Sequence, residues 1–165
     1  MVSPATTDDF DAIAALNVAA YQEFADRMSP EHWETMKANI RTVEARASST
    51  QFLVVREHGA IVGSVGYCQA SKGNPGTFPS DWATIVLLAV SPTVRGRGIG
   101  RALVSTCIAR ARQDSAPIIG LYTSELMIAA QHLYESLGFQ RECRLPPRLD
   151  LCYWRYQLRL RESLA

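Results

Sequence analysis

The stretch "LLAVSPTVRGRGIGRAL", Leu87–Leu103, runs from an apolar segment through Ser-Pro and three glycines interleaved with arginines into a helix-like pattern. Read back to residue 83, the apolar part is "ATIVLLAV", a continuous run that predicts a strand buried on both faces. Downstream, Leu103, Val104, Cys107, Ile108 and Ala111 recur at helical spacing and predict a helix over about 98–113. A helix start leaves backbone N–H groups without partners and carries roughly half a positive charge. Gly96, Gly98 and Gly100 let a ligand approach that backbone, and Arg95, Arg97 and Arg101 add charge. Strand, loop and helix in this order suit a phosphate-bearing ligand. The glycines alone are equally explained by a tight turn.

Working outward, the remaining elements alternate between helical and strand periods. The N-terminal segment predicts a helix capped by Thr7, with Asp8 and Asp9 at its start and Phe10, Ile13, Leu16 and Val18 along it. "SPEHWETM" predicts a second helix, with Ser29 as cap and Pro30 in the first position, running to about Ala47. "FLVVREHGAIVGSVGYCQ" predicts a hairpin turning at His58-Gly59. "ASKGNPGTFPSD" is a Gly-, Pro- and Ser-rich loop. "PIIGLYT" predicts a strand, "SELMIAAQHLYESLGF" a helix closed by Gly138, and "CYWRYQLRL" a final strand. The order of elements predicts one α/β domain spanning residues 1–165, a mixed central sheet flanked by helices.

Composition is that of a globular chain: 165 residues, 47% hydrophobic, 20% charged, net charge +1. The charge is uneven. Residues 1–50 carry 8 acids and 4 bases, leaving the later part basic, which fits an anionic ligand held there and a cationic group welcomed by the first part. No aromatic stripe interleaves the basic residues, so a nucleic-acid surface is not expected. Cys68, Cys107, Cys143 and Cys152 form no Cys-x-x-Cys pair and do not cluster with histidines, which argues against a metal site. Reduced thiols in a cytoplasmic protein are expected, with Cys143 and Cys152 facing each other across a hairpin as a less favoured pairing. "MVSPATTDDFDA" lacks the basic and apolar regions of a signal peptide, and no apolar run reaches membrane-spanning length.

The mononucleotide pattern G-x-x-x-x-G-K-[ST] is absent. G-x-G-x-x-G fails too, because counting from Gly96 or Gly98 the sixth residue is Arg101 or Leu103. Arg95-Gly96-Arg97-Gly98-Ile99-Gly100 instead resembles the Q/R-x-x-G-x-G/A acetyl-CoA signature of the GNAT acetyltransferases, with their preceding apolar strand and Pro92. "LYESLGF", Leu133–Phe139, resembles the family's second signature on the helix after the next strand. The element order is similar to the GNAT fold throughout, with a first strand reduced to a few residues around Val2.

The resemblance implies a fold in which splayed strands form the acetyl-CoA cleft. It implies that Arg95, Gly96, Arg97, Gly98, Ile99, Gly100 and Arg101 receive the coenzyme pyrophosphate, and that Leu88, Ala89 and Val90 pair their backbone with the pantetheine arm, as an added strand does. The implied reaction is direct acetyl transfer to a primary amine, without metal. An amine of pKa about 10.4 is only ~0.04% neutral at pH 7, so its proton has to be removed. A backbone N–H near Leu88 suits the oxyanion, and Tyr134 is the expected acid for the departing thiolate. Two positions where relatives carry a glutamate base hold Thr84 and Tyr122, and Met127 stands where some relatives have an asparagine. Glu125 is the nearest carboxylate and is named as candidate base. Tyr21, Glu23 and Trp33 on the first two helices are named for the acceptor, a small-molecule or peptide amine. A cationic acceptor is mildly favoured by the acidic first part. The acceptor's identity, the acyl chain length and the choice between monomer and homodimer stay open. A non-catalytic acyl-CoA-binding module is the rival reading, supported by the missing glutamate at position 84.

Overall fold

The computed structural model describes residues 1–72 and 76–161, so part of the expected loop at 70–81 lies outside the described residues. Strands β1 (Val2–Pro4), β2 (Gln51–Glu57), β3 (Ala60–Cys68), β4 (Ala83–Val90), β5 (Ile118–Ser124), β6 (Gln140–Arg148) and β7 (Leu151–Arg159) form one sheet in the order β1-β2-β3-β4-β5-β7-β6. The β4–β5 pairing is parallel and the others are antiparallel, which gives the expected mixed sheet. Helices are α1 (Phe10–Tyr21), α2 (Pro30–Ile40), α3 (Val43–Arg46), α4 (Ile99–Gln113) and α5 (Ile128–Ser136).

Both faces of the sheet are covered, and the sequence shows why. In β2, Leu53 and Val55 join the α4-side core with Leu103, Val104, Cys107 and Ile108, while Phe52 and Val54 pack with Ile13 of α1 and Val43 of α3. Successive strand residues point to opposite faces, so an unbroken apolar run needs helices on both sides. Burying each large aliphatic side chain contributes roughly 1.5–3 kcal/mol. The α4 residues expected on one face are all buried. The His58-Gly59 turn has positive φ at both residues, 50° and 81°, as a two-residue hairpin turn requires.

The feature that positions the site is the divergence of β4 from β5. The strands pair only at Ala83↔Ile119 and Thr84↔Gly120, although β4 continues to Val90 and β5 to Ser124. At the closed end the Trp82 ring lies over Gly120, where a Cβ would fall 2.6 Å from Trp82 Cε3. Farther along, β4 carries a bulge: Leu87 and Leu88 face the single residue Val65 of β3, and Leu87 has φ 54°. A bulge bends and twists its strand, and here it lies in the part of β4 beyond its last pair with β5.

Several local expectations are corrected. The cap of the first helix is Thr6, one residue earlier than Thr7; the Asp9 carboxylate accepts from the Thr6 N–H at 2.8 Å and from Arg56 Nη2 at 2.7 Å. The second helix ends at Ile40, before Ala47, because the Thr42 hydroxyl and N–H both turn back to the Asn39 carbonyl and end the helical ladder; α3 is a separate short turn. The last helix starts at Ile128 because Ser124 still belongs to β5, paired with Tyr153. Cys143 pairs with Arg155 and Cys152 Sγ accepts from Arg144 at 2.9 Å, so the two thiols do not face each other; all four cysteines are free.

Candidate active site

Two cavities open where β4 and β5 part. One, of about 600 Å³, runs from the β4 backbone at Leu88–Val90 past Gly96, Gly98 and Gly100 to the face of α5 that carries Ile128 and Leu133. Its floor is the start of α4. Gly98 caps that helix in the left-handed region, φ 80°, and Gly96 has φ 78°. Nothing lies within 4 Å of where a Cβ on either would stand. Open backbone, unpaired helical N–H groups, Arg95 and Arg101 together make an anion cradle.

The other cavity, of about 550 Å³, lies on the far side of Leu88, between α2, the diverging strands and the β6–β7 turn. Tyr21, Phe24, Leu88, Leu126 and Met127 line both cavities, so the two meet there. The Tyr21 hydroxyl donates to the Leu88 carbonyl at 3.4 Å, holding the end of α1 against the bulged strand.

The expected site residues distribute unevenly over this geometry. Leu88, Ala89, Val90, Arg95, Gly96, Gly98, Ile99, Gly100 and Arg101 line the first cavity. Arg97 does not; it points to Glu57, 3.4 Å away. Glu23 also lines the first cavity and pairs with Arg95 at 2.5 Å, while Arg95 donates to the Ala20 carbonyl at 2.9 Å. Glu23 therefore sits beside the glycine loop, away from the second cavity. Trp33 is buried with Met36, Ile40 and Leu151 and lines neither cavity. Glu125 is exposed and outside both linings; its carboxylate accepts from the Cys152 N–H at 3.4 Å. Thr84 is 2% exposed inside the closed end of the sheet. Tyr122 lines the second cavity, as do Arg46, Arg148 and Tyr153, which carried no signal in the sequence beyond their residue type.

Tyr134 lines the second cavity while Leu133, its neighbour on α5, lines the first. The Tyr134 ring is packed edge-on against Phe139, centroids 5.8 Å apart, and near Tyr156 at 6.4 Å. Among the described residues its hydroxyl has no hydrogen-bond partner. Burial pushes the Tyr134 and Tyr21 phenols well above their usual range, so both stay protonated at neutral and mildly alkaline pH.

A model of the acetyltransferase (GNAT) family matches residues 11–139. The chain belongs to the GNAT acetyltransferase family. It is 31% identical over 139 residues to the mycothiol acetyltransferase of Acidothermus cellulolyticus, covering 80% of this chain and 42% of that protein. It is 33% identical over 90 residues to human N-acetyltransferase 8B, covering 54% of this chain and 38% of that protein. The chain thus spans less than half the length of these relatives. The GNAT fold is shared with the yncA structure of Salmonella typhimurium, solved with its cofactor acetyl-CoA, at TM-score 0.70 and 24% identity over 100% of this chain and 96% of that one. The PaiA N-acetyltransferase of Thermoplasma acidophilum, in complex with coenzyme A, gives TM-score 0.73 at 13% identity over 94% and 96%.

For a GNAT chain the first cavity fits acetyl-CoA on its own geometry. The cradle at Gly96 and Gly98 has the empty space a phosphate needs, and β4 beyond Thr84 offers an edge with no strand partner on the β5 side. Among the described residues there is no cluster of His, Cys, Asp and Glu able to hold a metal, and no helix is long and apolar enough to cross a membrane.

Proposed function

We propose that this chain is an acetyl-CoA-dependent N-acetyltransferase acting on a primary amine in a ternary complex. The observation that carries the reading is the meeting of the two cavities at Leu88, on the unpaired edge of β4. One cavity suits a long phosphate-bearing ligand and the other a compact one, so the ligands meet end to end. Bound acetyl-CoA would supply a thioester carbonyl carbon for the amine nitrogen to attack; the C–N bond would form with charge moving onto the carbonyl oxygen, and the C–S bond would break as that charge returns.

The chain's own residues supply the rest. The cradle of Arg95, Gly96, Gly98, Gly100 and Arg101 holds the phosphates, with Glu23 fixing the Arg95 guanidinium. The free β4 edge from Leu88 to Val90 aligns the arm and presents backbone N–H to the oxygen that gains charge. Tyr134 gives its hydroxyl proton to the leaving thiolate and is restored from solvent. The second cavity has no Asp, Glu or His in its lining, so water takes the ammonium proton before attack and the second nitrogen proton as the amide forms. Four unpaired thiols support a reducing compartment such as the cytoplasm.

The test is release of coenzyme A thiol from acetyl-CoA across an amine panel, with acetyl-CoA binding followed separately by melting temperature. Amine-dependent release supports the reading. A melting-temperature rise without release from any amine overturns it in favour of a non-catalytic acyl-CoA-binding module.

A further inference from the structure

We propose that the acceptor is an amino-acid-like molecule, with a carboxylate beside its amine and an apolar side chain. The inference rests on the acetyl-transfer reading and concerns the second cavity. Phe24, Met28, Met36, Ile40, Leu149 and Tyr153 give that cavity an aliphatic and aromatic wall. Its charged lining residues are Arg46 and Arg148, with no carboxylate among them. Neither arginine is in an ion pair among the described residues. Arg46 Nε donates to the Thr42 hydroxyl at 3.0 Å, and the Arg148 guanidinium lies over the Tyr122 ring, 5.5 Å from its centroid. Two arginines thus line a largely apolar chamber that has no carboxylate in its lining.

A planar guanidinium matches a carboxylate in a two-pronged contact and is weakly hydrated, so it suits a partly enclosed ion pair. An apolar body fills the wall between the arginines and the junction at Leu88. The volume, about 550 Å³, is that of a small-molecule site. A polyamine or aminoglycoside would instead bring extra ammonium groups against two arginines with no compensating acid. The acidic first part of the chain does not alter this. Glu23 is bound to Arg95 on the coenzyme side, and Glu31 and Glu34 are exposed on α2, whose contribution to the cavity is Met36, Asn39 and Ile40.

The experiment compares initial rates of thiol release at pH 8.5 with phenylalanine, methionine, their amides, and spermidine. The amides are the less basic amines, with more of the neutral nucleophile present, so any preference for the acids runs against intrinsic reactivity. We expect kcat/KM at least tenfold higher for one or both acids than for the matching amide or spermidine. The Arg46→Gln/Arg148→Gln protein should bring the acid-to-amide ratio down toward one, mainly through KM for the acid. The acetyl-CoA melting shift verifies that the variant is folded. Amides or spermidine turned over as fast as the acids overturn the carboxylate assignment and leave the transferase reading standing, as does an acid-to-amide ratio unmoved by the double substitution. Absence of release from all five amines, with acetyl-CoA still raising the melting temperature, overturns the transferase reading and this inference with it.

Discussion

Tyr134 occupies a position where packing and chemistry make different demands on the same side chain. The ring contributes to the core through Phe139 and Tyr156, while the hydroxyl reaches the cavity wall without a partner. Tyr134→Phe keeps the ring and removes the proton. The expected result is a kcat about 10–100-fold lower, at the weak end for a general acid because a thiolate of reference pKa near 8.5 already leaves fairly well. Coenzyme affinity should stay within a few fold. Wild-type kcat under chemistry-limited conditions would assign Tyr134 to packing alone. Because burial raises the phenol's pKa, the wild-type enzyme should show no loss of activity from this group through the mildly alkaline range.

At the scale of elements, two helix starts do different work. The first is structural. Asp9 ties the entry of α1 to β2 through Thr6 and Arg56, and the Arg56 guanidinium bonded to it, with the Thr6 N–H, holds its carboxyl below the usual carboxylate range. A carboxylate with a depressed folded-state pKa stabilises above its unfolded value and loses that contribution as pH falls through the folded one. Asp9→Asn should therefore cost about 1–2 kcal/mol at pH 7 and progressively less below about pH 4, read by denaturant midpoints. The second start is the anion cradle. At a hundredfold excess over its Kd, acetyl-CoA should raise the melting temperature by roughly 5–10 °C. Gly98→Asp should abolish most of that rise. Gly98→Asn, which tolerates the left-handed backbone without the charge, should keep more of it. An undiminished rise in a folded Gly98→Asp protein would remove the loop from the coenzyme site.

These elements also mark how far the sequence could be read. The apolar run of β4, the glycine loop and the α4 face depend on local pattern, and all three elements fall where the pattern predicts; but β4, expected to be buried on both faces, is fully buried at Ala83–Ile85 and half-buried at Val86–Leu88, where it lines the cavities. The shared fold, including the diverging strands, came through the two signatures and their order. What the pattern misplaced depends on partners remote in sequence. Glu23 is drawn to Arg95 and Glu125 to Cys152, and neither attraction has a local signature. Trp33 faces Leu151 of β7, whose position is set by pairing with β5 and β6. Arg46 and Arg148 stand about a hundred residues apart and meet one cavity only because α3 and the β6–β7 turn close over it.

For the whole molecule, the distribution of charge over two cavities sets the pH dependence. The first cavity holds Glu23 against Arg95, while the second has no carboxylate or imidazole in its lining. With water taking the proton, as proposed above, kcat/KM for the acceptor should rise about tenfold per pH unit until the acceptor's own amine pKa is reached. A plateau near pH 7, well below that pKa, would reveal a protein base and refute this arrangement. Neutralising Glu125 should leave the profile unchanged.

Trp82 over Gly120 is the pin of a hinge. The sheet is two plates, β1–β4 and β5–β7, fastened by a ladder of two residue pairs at one end and free at the other. Such a joint is expected to transmit bending, so that contacts at the pin would set the opening angle of the free end. A methyl at position 120 would act as a wedge there, 2.6 Å from the Trp82 ring. Gly120→Ala should cost about 1–3 kcal/mol of stability. It should also speed amide exchange at Ile119–Leu121, none of which lines the first cavity, and loosen acetyl-CoA without touching it. Unchanged exchange with intact affinity would mean that the plates are held apart by the helices packed on them, and that the pin carries no load.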